Sequence, residues 1–206
     1  MKKIIIAVAA LLVAAGAQAQ ILSDATKYVK AGLALNSWAG EDVDQDYAKN
    51  ALGYDLVVGF QKDFAAPGLY WGMEAGLGTR GIKNDLLGGG TSRYLHHNLK
   101  VTPIQIGYKV DFLDDWAVDF HLGAVASYDL FGNSVTKNGG NKLTTKMSEY
   151  GDTLNKFDVA INPGITFWYG QFGCELAYQR GFISWDKDGD LKYFSNDFKI
   201  RLAYRF

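Results

Sequence analysis

Apolar and polar side chains alternate with a period of two through most of the chain, and this period limits what the chain can fold into. The last nine residues, FKIRLAYRF, show the pattern most clearly. One face of this segment holds Phe198, Ile200, Leu202, Tyr204 and Phe206, and the other holds Lys199, Arg201, Ala203 and Arg205. The segment therefore predicts a β-strand with one apolar face and one cationic face.

The same alternation recurs often enough to predict eight strands. Clear examples lie at 52–60, 69–77, 116–130, 157–169 and 172–178, whereas the first strand, near 29–35, is weaker. In the fourth strand the apolar phase changes at Thr102-Pro103, where a β-bulge would restore a continuous apolar face. Long connections are predicted near 40–50, 81–97, 131–155 and 181–195, and short ones near 62–68, 113–115 and 170–171. This pattern is typical of an antiparallel up-and-down transmembrane β-barrel with both termini in the periplasm.

The first residues predict export from the cytoplasm. Lys2 and Lys3 precede an apolar run, and Ala17-Gln18-Ala19 is a cleavage pattern that would release a chain beginning at Gln20. A membrane anchor is the alternative, but the apolar run is short for a span. We therefore predict a secretory signal peptide over residues 1–19 and a barrel in the bacterial outer membrane over residues 20–206.

Amino-acid composition limits the kinds of partner and cofactor that the chain is expected to bind. Without Lys2 and Lys3, acidic residues slightly outnumber basic ones, so no nucleic-acid partner is expected. Cys174 is the only cysteine, which excludes an intrachain disulfide and a cysteine-rich zinc site. No cofactor or metal is predicted.

The direction of the apolar face separates a membrane barrel from a soluble lipid-binding barrel, which alternates in the same way but turns its apolar face inward. Here the apolar face of the predicted strands holds no charged residue, and the opposite face is rich in Gly and Ala. That opposite face also carries nearly matched acids and bases, as a paired interior requires. The predicted interior charge network consists of Lys30, Asp55, Glu74, Lys109, Asp119, Asp158, Glu175, Lys199, Arg201 and Arg205.

Aromatic residues collect at both ends of the apolar face. Trp71, Trp116 and Phe206 lie near the short connections, and Tyr54 and Tyr178 lie toward the long ones. Two aromatic girdles are typical of the two membrane interfaces.

With these features the chain resembles the small OmpA/OmpX-like outer-membrane barrels, and more narrowly the PorT-like "outer membrane protein β-barrel domain" proteins of Bacteroidetes-type bacteria. The most specific elements are VTPIQIGYKVDF and the terminal phenylalanine. The resemblance implies that Phe198, Ile200, Leu202, Tyr204 and Phe206 form an insertion and closure signal for the barrel-assembly machinery. It also implies outer-membrane lipid and lipopolysaccharide as partners.

Catalysis is the main alternative function, because some eight-stranded outer-membrane barrels modify acyl chains of lipid A or phospholipids. Such chemistry needs a nucleophile, a base and an acid brought together. Ser92, His96 and His97 are close in sequence, but nothing in the sequence fixes their geometry. His121 shares the inward face with Asp119 and could pair with it.

A pore is not expected, since eight strands enclose a lumen that side chains fill. We therefore predict a monomeric barrel without enzymatic activity. Its long loops, especially 81–97 and 131–155, would serve surface interaction with an extracellular ligand or envelope stabilisation. A soluble periplasmic lipid-binding barrel remains the second alternative.

Overall fold

The computed structural model describes residues 24–44, 46–86, 88–149, 154–188 and 190–206, so the predicted signal peptide lies outside the described residues. Strands account for most of this part of the chain: β1 (Thr26–Ala39), β2 (Ala48–Lys49), β3 (Ala51–Asp63), β4 (Leu69–Leu86), β5 (Gly90–Leu113), β6 (Trp116–Asn138), β7 (Asn141–Lys146), β8 (Phe157–Tyr169), β9 (Phe172–Gly181) and β10 (Phe194–Arg205). One 3-10 turn covers Met147–Glu149. Within the described ranges, no helix has the length and apolar character needed to cross a membrane.

Eight of these strands form a closed antiparallel ring in the order β1, β3, β4, β5, β6, β8, β9, β10. The ring closes because β10 pairs with β1 from Tyr28↔Arg205 to Ala39↔Phe194. Closure leaves these strands without a free sheet edge. The predicted eight-stranded up-and-down barrel is confirmed.

Both described chain ends and the short turns lie at one end of the barrel, which we call the short-turn end. The turn between β8 and β9 is tight because Gly170 adopts φ 55°, a left-handed conformation that suits glycine. The Phe206 amide donates to the Lys27 carbonyl at 2.9 Å, so the end of the chain is held against β1.

The opposite end of the barrel is called the outer end here. At this end the prediction of long loops at 81–97 and 131–155 is wrong in large part. β4 continues to Leu86 and β5 starts at Gly90, so most of 81–97 is a hairpin. β6 likewise continues to Asn138 and turns back as β7, which pairs with it. In these extensions the outward face mixes charged and apolar residues, such as Arg93 with Leu95 and Lys137 with Val135, so the apolar alternation that marks strands in the belt is lost there. Residues 48–49, 81–86, 90–97, 131–138 and 141–146 together form a projecting sheet, which we call the outer sheet.

The bulge at Pro103 is confirmed. Against β4, Thr102 pairs with Glu74 and Gln105 pairs with Gly72, so β5 carries extra chain opposite Met73. The same interruption occurs against β6, between Val101 and Ile104. A proline is tolerated there because the ladder of hydrogen bonds is already broken.

The barrel is apolar outside and polar inside. Large hydrophobic side chains stay exposed around the ring, among them Leu122 (54%) and Leu202 (71%), whereas Lys30, Glu175 and Arg201 are buried in the lumen. The residues of the predicted terminal signal all face outward: Phe198, Ile200, Leu202, Tyr204 and Phe206. Water would disfavour so apolar an exterior, and lipid favours it. The protein is therefore a transmembrane barrel of the bacterial outer membrane.

Two Leu→Arg substitutions test the position of the lipid belt. Leu122 lies midway along β6, whereas Leu143 is 66% exposed on β7 in the outer sheet. We expect Leu122→Arg to lower the free energy of unfolding in lipid vesicles by about 2–4 kcal/mol, because a cation at mid-membrane is costly. Leu143→Arg should cost less than about 0.5 kcal/mol, as substitutions on a wet surface do. Equal losses in urea titrations would contradict this placement of the membrane.

Candidate functional site

The middle of the lumen is filled by buried charged side chains from six strands, which we call the central network. Its members are Lys30, Asp55, Glu74, Lys100, Glu175, Lys199 and Arg201. Each occupies an inward position of its strand, so the alternation that exposes apolar side chains to lipid also brings these charges together.

Glu175 on β9 joins the two main cations of this network. Its Oε2 lies 2.5 Å from Lys30 Nζ, and its Oε1 accepts hydrogen bonds from the Arg201 guanidinium, one of them 2.8 Å from Nε. Lys30 Nζ also lies 2.7 Å from Glu74 Oε1, which accepts a further bond from Tyr28. Each carboxylate therefore has charged partners inside the lumen, which buried charges require.

Asp55 on β3 forms the second node. Its carboxylate accepts from Lys100 and, at 2.8 Å, from Arg201 Nη1. Lys199 Nζ lies 3.3 Å from the same carboxylate and donates to Gln179 Oε1. Arg201 thus links Asp55 to Glu175, which makes the network continuous across the lumen.

Four residues of the predicted network lie outside this central group. Asp119 accepts a 2.6 Å bond from Tyr70, and Asp158 accepts from Ser195 nearer the outer end. Lys109 and Arg205 are at the short-turn end. There the lumen opens to water, so Lys109 pairs at 3.5 Å with the exposed Asp111, and Arg205 donates to the Gly170 carbonyl.

Above the central network, Arg80 on β4 organises a second buried cluster. Its Nε and Nη2 donate to the Asp129 carboxylate at 2.9 and 2.8 Å, and Nη1 lies 3.6 Å from Asp158. Its Nη2 also donates to the Asn155 carbonyl at 2.6 Å, which ties β4 to the segment before β8. His96 Nδ1 lies 2.8 Å from the same Asp129 carboxylate.

Aromatic side chains close the lumen over this cluster, and we call them the aromatic cap: Trp38, Tyr94, Trp185 and Tyr193. Trp185 is fully buried, with its ring 4.4 Å from the Arg80 guanidinium and 4.8 Å from the His96 ring. The loop that carries it is fixed by backbone bonds from Trp185 to Tyr193 and from Asn155 to Trp185. The outer mouth of the barrel is therefore plugged by its own last loop.

The outermost loops carry acids that are partly neutralised by Lys192. Its Nζ donates to Glu41 at 2.8 Å, and this hydrogen bond and charge raise the pKa of Lys192 above its ordinary value. Its backbone amide donates to Asp42. Burial, with the nearby charges of Asp42 and Asp186, raises the pKa of Tyr193.

The residues considered for catalysis are separated. His97 points outward, where its Nδ1 lies 3.1 Å from Tyr54 Oη, whereas Ser92 and His96 point inward. Ser92 Oγ bonds Thr136 Oγ1 at 3.1 Å and lies four residues along the strand from His96, a rise of about 13 Å. Among the described residues no hydroxyl group bonds His96. His121 lies 3.9 Å from Asp119, beyond hydrogen-bonding distance, and equally far from Glu175.

Two parts of this arrangement are not apparent from the amino-acid sequence. The His96–Asp129 pair follows from the antiparallel pairing of β5 with β6, but a bulge between Asn98 and His97 shifts the register there. Trp185 lies in a segment without alternation, so no pattern marks it as buried. A tryptophan directly before the acidic residues Asp186, Asp188 and Asp190 was the available signal.

Comparisons with known proteins return distant similarities. Neisserial surface protein A is 12% identical with a TM-score of 0.45, covering 88% of this chain and 99% of its own. The Yersinia pestis attachment invasion locus protein Ail is 13% identical with a TM-score of 0.44, covering 88% and 98%. The N-terminal barrel domain of Pseudomonas aeruginosa OprF is 9% identical with a TM-score of 0.31, covering 86% and 97%. No protein-family profile and no curated relative matches the chain. Similarity at this level carries no property of those proteins over to this chain.

Removing a charge from the central network should destabilise the barrel. In Glu175→Gln, Lys30 and Arg201 lose their shared carboxylate in a site that water does not reach. We expect a loss of about 3–5 kcal/mol in the free energy of unfolding, the usual cost of leaving a buried charge uncompensated. Asp111→Asn is the matched control, because its carboxylate is 67% exposed, and it should cost less than about 1 kcal/mol. Similar urea midpoints for the two variants would show that Glu175 is hydrated.

Proposed function

We propose that this protein is a monomeric, non-enzymatic outer-membrane barrel whose outer end serves surface interaction or envelope stabilisation. The observation that carries the proposal is the filled lumen: the central network and the aromatic cap lie in series along the barrel axis. A barrel built in this way presents its outer surfaces to partners and offers no passage through its middle.

The charged lumen opposes the diffusion of nutrients. Eight strands leave an interior just wide enough for side chains. Here that space is taken up by bonded groups such as Arg201 and Glu175 in the middle and Trp185 at the mouth. A solute would have to break both layers to pass.

The same features oppose both alternative functions. An acyl-modifying enzyme would need a nucleophile beside His96 or His97, and the described residues do not provide this arrangement. His96 is also covered by Trp185, which blocks the approach of an acyl chain. A soluble lipid-binding barrel would need an apolar interior, whereas this lumen is lined by charged and amide side chains.

The partners follow from this placement. We propose an orientation with the short turns and both termini in the periplasm and the outer sheet outside the cell, after removal of a signal peptide at residues 1–19. The outward-facing terminal strand, ending at Phe206, would be the segment read by the barrel-assembly machinery. Outer-membrane lipid and lipopolysaccharide surround the belt. The narrower resemblance to PorT-like proteins remains a hypothesis consistent with this architecture.

Conductance tests the filled lumen. We expect the purified barrel to produce no stable conductance steps in planar bilayers at high salt. Trp185→Ala should also be silent, because the central network still blocks the lumen below the cap. Discrete openings of the wild-type protein would contradict the proposal. Openings in Trp185→Ala alone would show that the cap is the only barrier.

Mass spectra of lipid A test the absence of catalysis. Cells that express the protein and cells that lack it should give lipid A with the same acyl chains. A mass difference that disappears in His96→Ala, with the barrel still folded, would assign an acyl-modifying activity. Phe182→Ala is a suitable control, because Phe182 is exposed in the loop that carries the cap.

A further inference from the structure

The outward face of the outer sheet is strongly cationic. Lys49 on β2 pairs with Lys83 on β4, which in turn pairs with Arg93 on β5. Directly paired residues of neighbouring strands point to the same side of a sheet, so these three cations form one row. In β6 and β7, Lys137 pairs with Lys142, and Lys146 follows on the same face opposite Asn133. We call these six residues the cationic face.

These side chains point away from the barrel axis. On β5, His96 is buried in the lumen and His97 faces outward, so Arg93, which has the parity of His97, also faces outward. On β6, Ser134 is buried, whereas Phe131 and Lys137 are exposed. Five of the six cations are exposed, and Lys83 is half-buried.

The cationic face lies immediately beyond the outer aromatic girdle. His97 stacks on Phe131 with ring centroids 4.6 Å apart, and Tyr54 bonds His97, which marks the edge of the apolar belt. Successive outward residues of a strand are separated by about 7 Å. Arg93 therefore lies two such steps above His97. Lys146, opposite Asn133, lies one step above Phe131, and the Lys137–Lys142 pair lies three steps above it. The lower part of the cationic face is thus level with the headgroups that flank an apolar belt, and its upper part extends outward from them.

The cations on this face have few internal counter-charges. Asp85 pairs with Thr91 on the same face, and Glu149 accepts a bond from the backbone amide of Lys146. No ion pair within 4 Å joins any of the six cations to another described residue. Like charges placed opposite one another across strands are destabilising, so these three pairings between basic residues favour an anionic ligand from outside the chain.

Most acidic residues of the outer end lie in two loops beside the cationic face. One loop, with Glu41, Asp42, Asp44 and Asp46, leads into β2 at Lys49, and the other, with Asp186, Asp188 and Asp190, precedes β10. The whole chain has a formal net charge of −1, so the cationic face is a local concentration of charge.

We propose that the cationic face binds the phosphate groups of the glycolipid in the outer leaflet, the lipid A type of headgroup. This inference rests on the proposed orientation of the barrel. Side chains directed sideways, just above the apolar belt, meet the headgroups of neighbouring lipids before any soluble ligand. Lysine and arginine attract anionic headgroups within a Debye length of the surface. The contact ties the outer sheet to the leaflet, which gives envelope stabilisation a physical basis.

Lipid A binding by the refolded full-length barrel in zwitterionic detergent tests this assignment. The probes are lipid A with both phosphates and the same lipid with its phosphates removed. In Lys137→Gln/Lys142→Gln/Lys146→Gln we expect affinity for the phosphorylated lipid to fall by at least about tenfold, since each basic residue near an anionic surface contributes. The wild-type protein should bind the dephosphorylated lipid as weakly as this variant binds the phosphorylated lipid.

The matched control removes three exposed cations away from this face, in Lys27→Gln/Lys187→Gln/Lys192→Gln, and should change affinity less than about twofold. Lys83→Gln/Arg93→Gln provides a second, independent variant and should lose affinity as well. Heat-modifiable gel mobility confirms that each variant is folded.

Equal binding of the two lipids, or unchanged affinity in both face variants, would overturn the inference while leaving the barrel and its function standing. Preference of the wild type for soluble polyphosphate over lipid A would likewise overturn it, in favour of a soluble polyanion. A wild-type protein that is soluble and insensitive to heating would instead contradict the proposed function.

Discussion

The ion pairs of the central network are the interaction on which the rest of this structure depends. A transmembrane barrel has lipid outside, so every strand must expose its apolar residues and turn its polar ones inward. With eight strands the interior is too narrow to leave those polar groups in bulk water. The charges of Lys30, Glu175 and Arg201 are tolerated because each meets an opposite charge in the lumen.

Small inward residues make room for the large ones. A Cβ at Gly107 would lie 2.2 Å from the Tyr70 ring, and one at Gly164 would lie 2.4 Å from His121 Nε2. Tyr70 can therefore lie flat across β5 and donate to Asp119. The inward glycines thus leave the space that the large hydrogen-bonded side chains fill. Because the lumen is filled in this way, partners can contact the barrel only at its surfaces.

Much of the barrel was predictable because lipid makes the period of two unusually strict. Eight strands, the bulge at Pro103 and the outward direction of β10 followed from that period alone. The outer sheet was not predictable as strand, because its outward face meets polar surroundings. In the stretches 83–85 and 93–97, the residues of the two faces no longer differ as apolar and polar. The sequence also could not predict which acid pairs with which base in the central network, because that depends on the stagger between strands that are distant in the chain.

The sequence predicts that function lies at the outer end, and the structure differs most from the prediction at that end. Trp185 plugs the mouth through contacts with Arg80 and His96 that no local pattern encodes. The cationic face likewise appears only when cross-strand register places Lys83 beside Arg93. Surface chemistry in such a barrel is set by the register of the hairpins as much as by the composition of the loops.

Quenching of single tryptophans in brominated lipid tests most directly whether the apolar face meets lipid and the polar face is enclosed. Trp116 is 45% exposed on the outward face, whereas Trp168, at the same end of the barrel, is 2% exposed in the lumen. With the other four tryptophans replaced by phenylalanine, Trp116 should be strongly quenched by brominated acyl chains, and Trp168 should be nearly insensitive to them. Stronger quenching of Trp168 than of Trp116 would contradict this account.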